Sequence, residues 1–372
     1  MRIGITCYPS AGGSGVIATE LGRSLAGRGH DIHFISYSRP FRLPREDDHI
    51  RFHKVKTVTY PLFKYPPYSL ALAVRMAEVA RREKLDLFHV HYAIPHATSA
   101  LLANMILEPH RVGVVTTLHG TDITLVGSDE SFFEITKLSI ERSDAVTAVS
   151  DFLARETQEK LAVKHPIDVI PNFVDSQMFD TKVNPDLRAE IGIDDGPVLM
   201  HISNFRKVKN VKDVIQLFAA VQESTGAQLV LVGDGPERIP SRILAEELGV
   251  LDRILFLGNR VEVGQILPLA DLLLLPSTVE SFGLVALEAM ACGIPVVGYD
   301  GGGLPEVVRH GTDGMLAPLG SVERMIEMTL ELLQNPEKRK MMGSAARERA
   351  LSEFATESIT ARYEAVYERV LR

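Results

Sequence analysis

The sequence predicts a doubly wound α/β protein with two domains, each built on a parallel sheet. Short apolar runs alternate with segments of helical periodicity, which is typical of parallel strands joined by helices. The alternation starts afresh near residue 198, after a polar stretch. At 372 residues the chain also exceeds the size at which one core usually keeps growing. We therefore predict an N-terminal domain over residues 1–170, a second domain over 171–350 and a terminal helical segment over 351–372.

The first half opens with an apolar strand, a loop of small residues at 8–15 and a helix that ends at Gly29. Further strands and helices follow in turn. The predicted strands cover 2–7, 31–36, 50–56, 87–91, 112–118 and 144–149, and the predicted helices cover 16–28, 68–84 and 95–107, with another from Asp151.

The glycine loop contains a G-x-G-x-x-A pattern at residues 13–18, which matches the dinucleotide fingerprint. Two features count against NAD: several residues separate the strand from the glycines, and no acid ends the second strand. Arg39 could suit the extra phosphate of NADP, so an NADP-dependent oxidoreductase stays an alternative. A nucleotide-binding regulatory module without turnover is another.

In the second half, strands are predicted at 198–203, 228–232, 254–257, 272–275 and 295–298, and helices at 211–223 and 283–292 and from Val322, Pro336 and Ala355. Glu280 lies in the turn after the strand 272–275, and Glu288 lies in the helix that follows. A carboxylate only accepts hydrogen bonds and so suits sugar hydroxyls. The N–H groups of Phe282, Gly283 and Leu284 at the helix start suit a phosphate. A site with both the carboxylates and the helix N–H groups would suit a nucleotide sugar. The alternative is that Glu280 only caps the helix and that Glu288 is a solvated helix residue.

Composition limits the partners. The net charge of −8 and the lack of a dense basic block argue against nucleic acid. No apolar run is long enough to span a bilayer, and no secretory leader precedes the first strand, so we predict a cytoplasmic protein. Cys7 and Cys292 fall in different halves, which fits a reducing compartment. The oligomeric state is left open, with a homodimer among the alternatives.

Several motifs together resemble the retaining glycosyltransferases of family 4. They are the E-x7-E pattern from Glu280 to Glu288, ACGIPVV at 291–297, GGGLPE at 301–306, HGTDG at 310–314 and TLHGTD at 117–122. The resemblance covers nearly the whole chain. It implies the GT-B fold, in which two Rossmann-like domains with parallel sheets face each other and the last helix crosses back onto the first domain.

A basic loop at residues 201–209 follows the first strand of the second half. In the family this loop carries an Arg and a Lys, five residues apart, that hold the donor diphosphate. Here Asn204 occupies the Arg position and Lys209 the Lys position, and we expect Arg206 to substitute because a guanidinium can bridge phosphate oxygens. If the family resemblance is set aside, a solvated basic loop without a ligand explains these residues equally well.

His119 ends a predicted strand, and a lone histidine there is more often structural. The resemblance instead implies a contact with the transferred sugar, with Asp122 orienting the loop. His89 and His91 alternate on one strand, but no third ligand with a recognisable spacing follows, so we predict no metal. The catalytic residues predicted in this way are His119, Arg206, Lys209 and Glu280.

Within the family, residues 9–15, 89–96, 116–124 and 201–207 resemble the members that move N-acetylglucosamine from UDP-N-acetylglucosamine to L-malate, the first step of bacillithiol biosynthesis. This implies retention of the α-linkage and no cofactor. The expected donor-binding residues are Gly15, Asn204, Arg206, Lys209, Glu280, Phe282, Gly283, Leu284 and Glu288. The expected acceptor-binding residues are Gly13, Ser14, Tyr92, Thr117 and Arg206. The alternatives are family 4 enzymes with an inositol phosphate or a glycan as acceptor. Sugar-nucleotide epimerases of the same fold are a less favoured alternative.

Overall fold

The computed structural model describes residues 1–10, 12–57, 64–126 and 129–372. Ala11, within the predicted glycine loop, lies outside the described residues. The chain divides into two compact units: Met1–Asn172 with Thr356–Arg372, and Phe173–Ala355. The sequence placed these boundaries after residues 170 and 350. The later boundary falls at 355 because a helix continues to Glu353 and Ala355 then forms a β-bridge with Val174.

The first unit contains a parallel sheet with the strand order β3-β2-β1-β4-β5-β6-β7. Its strands are β1 (Arg2–Thr6), β2 (Asp31–Ser36), β3 (Ile50–Lys54), β4 (Leu87–His91), β5 (Gly113–Leu118), β6 (Ala145–Ala148) and β7 (Ile167–Val169). Its first helices are α1 (Gly13–Gly27), α2 (Tyr68–Glu83), α3 (Thr98–Leu107), α4 (Phe133–Glu141) and α5 (Asp151–Leu161). The strand order reverses between β1 and β4, which makes the ends of these two strands the switch point of the sheet.

Burial explains why the central strands are nearly continuous apolar runs. All five residues of β4 are buried, as expected for a parallel strand with helices on both sheet faces. Helix α1 begins at Gly13 and not at Val16, so Ser14 and Gly15 belong to its first turn. Neither α4 nor β7 was predicted from the sequence; β7 is only three residues long, which is too short for a periodic signal.

The second unit contains a parallel sheet with the strand order β10-β9-β8-β11-β12-β13. Its strands are β8 (Val198–Ile202), β9 (Gln228–Val232), β10 (Ile254–Gly258), β11 (Leu272–Leu275), β12 (Val296–Tyr299) and β13 (Gly314–Ala317). Its helices are α6 (Pro185–Glu190), α7 (Val211–Thr225), α8 (Arg238–Glu247), α9 (Val263–Ile266), α10 (Leu284–Ala291), α11 (Leu304–Val307), α12 (Val322–Gln334) and α13 (Pro336–Glu353). Here the strand order reverses between β8 and β11, which defines the second switch point.

The last helix, α14 (Thr356–Leu371), belongs to the first unit, as the predicted crossing-back helix requires. Its Tyr367 hydroxyl lies 2.7 Å from Nδ1 of His89, and its Glu364 carboxylate lies 2.7 Å from Nε2 of His30. Tyr363 and Tyr367 are fully buried, so the helix completes one face of the first core. None of the helices in the described part of the chain has the length and apolar character needed to cross a membrane.

Candidate functional site

The loops after β8 and β11 meet at the switch point of the second unit. The amine of Lys209, after β8, lies 2.5 Å from Oε1 of Glu280, after β11, and both side chains are largely buried. The main chain joins the same loops, because the N–H of Thr278 donates to the carbonyl of Val208 at 2.9 Å. The Asn210 amide also donates to the carbonyl of Pro276 at 2.8 Å. Lys209 and Glu280 are therefore held together by several independent contacts.

The glycine-rich segment after β12 supports Glu280. The N–H of Gly303 donates to the carbonyl of Glu280 at 2.6 Å. A Cβ atom at Gly302 would lie 2.2 Å from that same carbonyl oxygen, and the φ angle of Gly302 is +64°. Only glycine satisfies both conditions. This close approach gives a physical reason for glycine at position 302, in the middle of the GGG sequence.

Helix α10 begins at Leu284, shortly after Glu280. Gly283 precedes it in the left-handed region (φ +98°). The Phe282 ring is buried against Phe354, with ring centroids 5.8 Å apart, so only its main chain is available to a ligand. The first N–H groups of a helix have no partner within the helix and attract anions. Glu288 lies one turn further along α10 and is half-buried.

The remaining predicted donor residues in this unit lie on the exposed part of the β8 loop. Asn204 and Arg206 are both exposed. The carbonyl of Arg206 accepts a hydrogen bond from the N–H of Lys209 at 2.8 Å, so the two cations share one short turn. The main chain of Asn204 packs closely on Gly235, because a Cβ atom at Gly235 would lie only 2.1 Å from the carbonyl oxygen of Asn204. The side chain of Asn204 is thus left to solvent.

The switch point of the first unit joins Ser14 and Tyr92. The Tyr92 hydroxyl donates to Oγ of Ser14 at 2.9 Å, which connects the first turn of α1 to the residue after β4. A Cβ atom at Gly15 would lie 2.5 Å from the carbonyl oxygen of Ser10, so glycine is needed for the loop to close on the helix. Gly13, the first residue of α1, is exposed. Tyr92 has a φ of +84°, and such backbone strain in a non-glycine residue is typical of functional sites.

His119 and Asp122 lie after β5 beside this pair. Nε2 of His119 lies 2.9 Å from Nδ1 of the buried His91. Asp122 is buried, and its carboxylate accepts the main-chain N–H groups of Ala93, Gly120 and His119 at 3.0, 2.9 and 3.3 Å. Burial raises the pKa of Asp122 to about 6, while these hydrogen bonds oppose the rise. The predicted loop-orienting role of Asp122 agrees with this geometry.

Thr117 lies in a different network. Its hydroxyl is buried 2.7 Å from Nε2 of His89 and 2.7 Å from Oγ1 of Thr147, and His89 in turn contacts Tyr367 of α14. The main-chain carbonyl of Thr117 accepts the N–H of Tyr92 at 2.8 Å, so Thr117 adjoins the Ser14–Tyr92 pair through its backbone, while its hydroxyl belongs to this other network. The Thr117 hydroxyl is thus engaged by protein partners, and its role in binding the acceptor stays a prediction.

The buried imidazoles of this unit are neutral near pH 7. Burial lowers the pKa of His89 and of His119 to about 3 and that of His96 to about 4. His96 donates from Nδ1 to the carbonyl of His91, which leaves Nε2 as an acceptor; among the described residues that nitrogen has no hydrogen-bond partner. Its ring lies 4.8 Å from that of Tyr8. Sequence reasoning did not single out Tyr8 or His96, although they lie shortly after the ends of β1 and β4.

Two family models match the chain: Glycosyltransferase Family 4 over residues 11–178 and Glycosyl transferases group 1 over residues 183–349. The N-acetyl-alpha-D-glucosaminyl L-malate synthase of Bacillus anthracis is 49% identical over 373 residues, which cover 100% of this chain and 98% of that protein. The chain belongs to glycosyltransferase family 4.

The chain is also similar to proteins at lower identity. The D-inositol 3-phosphate glycosyltransferase of Segniliparus rotundus is 35% identical over 51% of this chain and 44% of its own length. Among solved structures, sucrose-phosphate synthase from Thermosynechococcus elongatus has a TM-score of 0.81 at 22% identity, covering 99% of this chain and 98% of that one. HepE of Anabaena in complex with UDP-glucose has a TM-score of 0.81 at 22% identity, covering 99% and 100%. These likenesses confirm the predicted GT-B fold.

Family 4 membership also decides between the alternatives from other classes. The protein is a glycosyltransferase, and the G-x-G-x-x-A match at residues 13–18 is not evidence for a dinucleotide. In this family 4 transferase those residues open α1, where Gly15 is needed for close packing and Ser14 meets Tyr92. The oxidoreductase alternative is therefore dropped.

One group of side chains in the family 4 transferase has the composition of a metal site. Ligand atoms of His33, His53 and Glu83 lie within 4.8 Å of one another. However, the Arg82 guanidinium, which can only donate, lies 3.1 Å from Nδ1 of His53. Nδ1 of His53 therefore accepts, and Nε2 of His53 carries the ring proton and donates it to Nδ1 of His33 at 2.9 Å. A metal on Nε2 of His53 would need the opposite tautomer, so we interpret these side chains as a hydrogen-bonded cluster.

Proposed function

We propose that this family 4 transferase moves N-acetylglucosamine from UDP-N-acetylglucosamine to the hydroxyl of L-malate with retention of configuration, as the first step of bacillithiol biosynthesis. The observation that carries the proposal is the end-to-end 49% identity with the L-malate synthase of Bacillus anthracis. Two polar pairs support it, Lys209–Glu280 in one unit and Ser14–Tyr92 in the other. Each pair lies at a switch point, where doubly wound sheets bind ligands.

The donor is assigned to the second unit. Arg206 and Lys209 supply positive charge for the diphosphate, together with the N–H groups of Phe282, Gly283 and Leu284 before and in the first turn of α10. Glu280 accepts hydrogen bonds from hydroxyls of the transferred sugar. Glu288 accepts from the ribose diol. Gly15 and Asn204 stay proposed donor contacts from the family pattern, and His119 stays the proposed contact to the sugar, as a neutral imidazole.

The acceptor is assigned to the first unit, around Gly13, Ser14 and Tyr92. L-malate carries two carboxylates, so its site must offer hydrogen-bond donors. The Tyr92 hydroxyl donates to Oγ of Ser14, which leaves the Ser14 proton to donate to a ligand carboxylate. Burial raises the pKa of Tyr92 to about 12, so the phenol keeps its proton. The main-chain N–H groups at the start of α1 add further donors.

Retention follows if the malate hydroxyl approaches the sugar from the face that UDP leaves. The departing phosphate then accepts the hydroxyl proton, and no protein nucleophile is required. Arg206 and Lys209 would stabilise the growing negative charge on that phosphate. Catalysis of this kind depends on positioning and on electrostatic stabilisation.

An assay of UDP release with a panel of acceptors tests the proposal, with the anomeric configuration of the product read by NMR. We expect turnover with L-malate and an α-linked product. A thermal-shift screen should show stabilisation by UDP and none by NADPH, because a ligand that binds the native state raises the melting temperature. Product with an inositol phosphate or a glycan, and none with malate, would refute the malate assignment and leave the glycosyltransferase assignment intact.

A further inference from the structure

A buried histidine lies beneath the loop that carries the proposed diphosphate-binding residues. His201 is the fourth residue of β8 and is 0% exposed. Its Nδ1 lies 2.8 Å from the carbonyl oxygen of Leu274 on β11, and its Nε2 lies 2.8 Å from Oγ of Ser203. One ring therefore connects both strands of the switch point to the loop that follows β8.

The direction of these hydrogen bonds is fixed. A carbonyl oxygen can only accept, so Nδ1 of His201 carries the ring proton. Burial lowers the pKa of His201 to about 4, so the ring is neutral near pH 7 and Nε2 is an acceptor. The Ser203 hydroxyl must then donate to Nε2. Its lone pairs are left to accept the main-chain N–H of Phe205, at 3.2 Å.

This chain of hydrogen bonds ends at a strained backbone. Phe205 has a φ of +40°, which non-glycine residues rarely adopt, and its ring is fully buried. Two glycines close the loop from the other side: a Cβ atom at Gly233 would lie 1.8 Å from the carbonyl oxygen of Ser203, and one at Gly235 would lie 2.1 Å from that of Asn204. The carbonyl of Phe205 accepts the N–H of Glu237 at 2.9 Å. Such a conformation persists only when its surroundings over-determine it.

We propose that His201 is a positioning residue for diphosphate binding: through Ser203 it holds the strained Phe205 turn that presents Arg206 and Lys209. Arg206 follows Phe205 directly, and the carbonyl of Arg206 accepts the N–H of Lys209. A rotation at Phe205 would therefore displace both cations together. The inference rests on the proposed UDP donor. The simpler interpretation is that His201 only joins β8 to β11 and has no effect on the loop.

The two interpretations differ for His201→Asn. An asparagine amide reaches the position of Nδ1 and can still donate to the Leu274 carbonyl, but it has no atom at the position of Nε2. Ser203→Ala removes the other end of the same contact, while Ser203→Thr keeps the hydroxyl. Asn335→Ala serves as the control, because it removes the N-cap of α13, which accepts from Lys338 at 3.0 Å, and touches neither loop.

The readout is the affinity for UDP divided by the affinity for uridine. Calorimetry measures both affinities, and the weaker ligand is measured by its competition with the tighter one. A displaced diphosphate loop weakens UDP binding and spares uridine, whereas a loss of stability alone leaves the ratio unchanged. We expect His201→Asn and Ser203→Ala each to lower the ratio by about tenfold, the effect of one hydrogen bond to a charged group or its equivalent. Ser203→Thr should restore the ratio, and Asn335→Ala should lower only the melting temperature.

An unchanged ratio in Ser203→Ala and in folded His201→Asn would overturn the positioning role while leaving the UDP donor in place. Ser203→Ala removes a partly buried hydroxyl without adding volume, so it should fold even where the histidine variant does not. If the unaltered protein binds UDP no more tightly than uridine, the proposed donor fails, and this inference fails with it.

Discussion

Nζ of Lys209 and Oε1 of Glu280 lie 2.5 Å apart, although 71 residues separate them along the chain. Each follows one of the two strands at which the order of the second sheet reverses. The two side chains form an ion pair in which their charges neutralise each other. A donor that brings a diphosphate to Lys209 and hydroxyls to Glu280 would give each charged group a new partner.

This pairing predicts a strong coupling between the two residues. Lys209→Ala should reduce the kcat of transfer, because the leaving phosphate loses a positive charge, and it leaves the Glu280 carboxylate largely buried without its partner. In a double-mutant cycle with Glu280→Ala, we expect the losses to be non-additive by about 0.5–3 kcal/mol, the range found for residues in contact. Additive losses in kcat/KM would show that the two residues act independently. Lys212→Ala, on the nearby start of α7, serves as a matched lysine control.

Glu288→Ala should weaken the binding of UDP, because the ribose diol loses its acceptor. A hydrogen bond to a charged group is worth about 1.5–3 kcal/mol, which corresponds to roughly ten- to a hundredfold in affinity. Calorimetry with UDP measures the effect. Glu246→Ala, an exposed glutamate on α8, should leave the affinity unchanged. Unaltered UDP affinity in a folded Glu288→Ala protein would remove Glu288 from the donor site.

Turnover should continue in excess EDTA. Arg206, Lys209 and the N–H groups at the start of α10 are proposed to neutralise and bind the diphosphate, a task that a divalent cation performs in other enzymes. The measurement is the initial rate with and without chelator at saturating substrates. If activity disappears with EDTA and returns with magnesium or manganese, the diphosphate is held differently from our proposal.

Ser14→Ala and Tyr92→Phe should raise the KM for malate far more than the KM for UDP-N-acetylglucosamine. Ser14→Ala removes the hydroxyl that is proposed to donate to a malate carboxylate, and Tyr92→Phe removes the phenol that donates to Oγ of Ser14 at 2.9 Å and so orients that hydroxyl. Succinate, which lacks the reacting hydroxyl, should inhibit competitively with malate and give no product. Thr98→Ala, which removes another hydroxyl of the first unit, is the control. Equal increases in both KM values would argue against an acceptor site at this pair.

Acid should destabilise the protein below about pH 6.5. His89, His96 and His201 have folded-state pKa values of about 3, about 4 and about 4, against an ordinary value of 6.5. Between these values the unfolded chain binds more protons, so the unfolding free energy falls as the pH falls, by up to about 1.4 kcal/mol per pH unit for each histidine. Burial raises the pKa of Asp122 to about 6 and also raises the pKa of Asp313, and both carboxyl groups act in the opposite direction. The histidines with lowered pKa values, which also include His53 and His119, outnumber them.

Thermal unfolding across the range from about pH 7 to about pH 5 measures this effect. His96→Gln should reduce the slope of melting temperature against pH, whereas His110→Gln, which removes an exposed histidine, should leave it unchanged. A melting temperature that does not fall on acidification would contradict the burial of neutral imidazoles.

Local patterns were enough to predict most strands and long helices. The apolar run at residues 272–275 predicted β11 without error, since a strand covered on both faces needs a continuous apolar sequence. The short strand β7, the helix α4 and the true start of α1 were not predicted, because local periodicity is weak in short elements and at their ends. Similarly, sequence could place Thr117 at a strand end but not foresee that its hydroxyl is engaged by His89 and Thr147.

The sequence by itself determined the fold class, the family and the residue types at both candidate sites, because these follow from local periodicity and from contiguous motifs. The tertiary structure decided which of those residues meet. Ser14 with Tyr92 and Lys209 with Glu280 are neighbours only because the strand order reverses between β1 and β4 and between β8 and β11. The orientation of His201 toward Ser203 and Leu274 was likewise decided in three dimensions. Strand order depends on how whole helices and strands pack, and no local stretch of sequence encodes it.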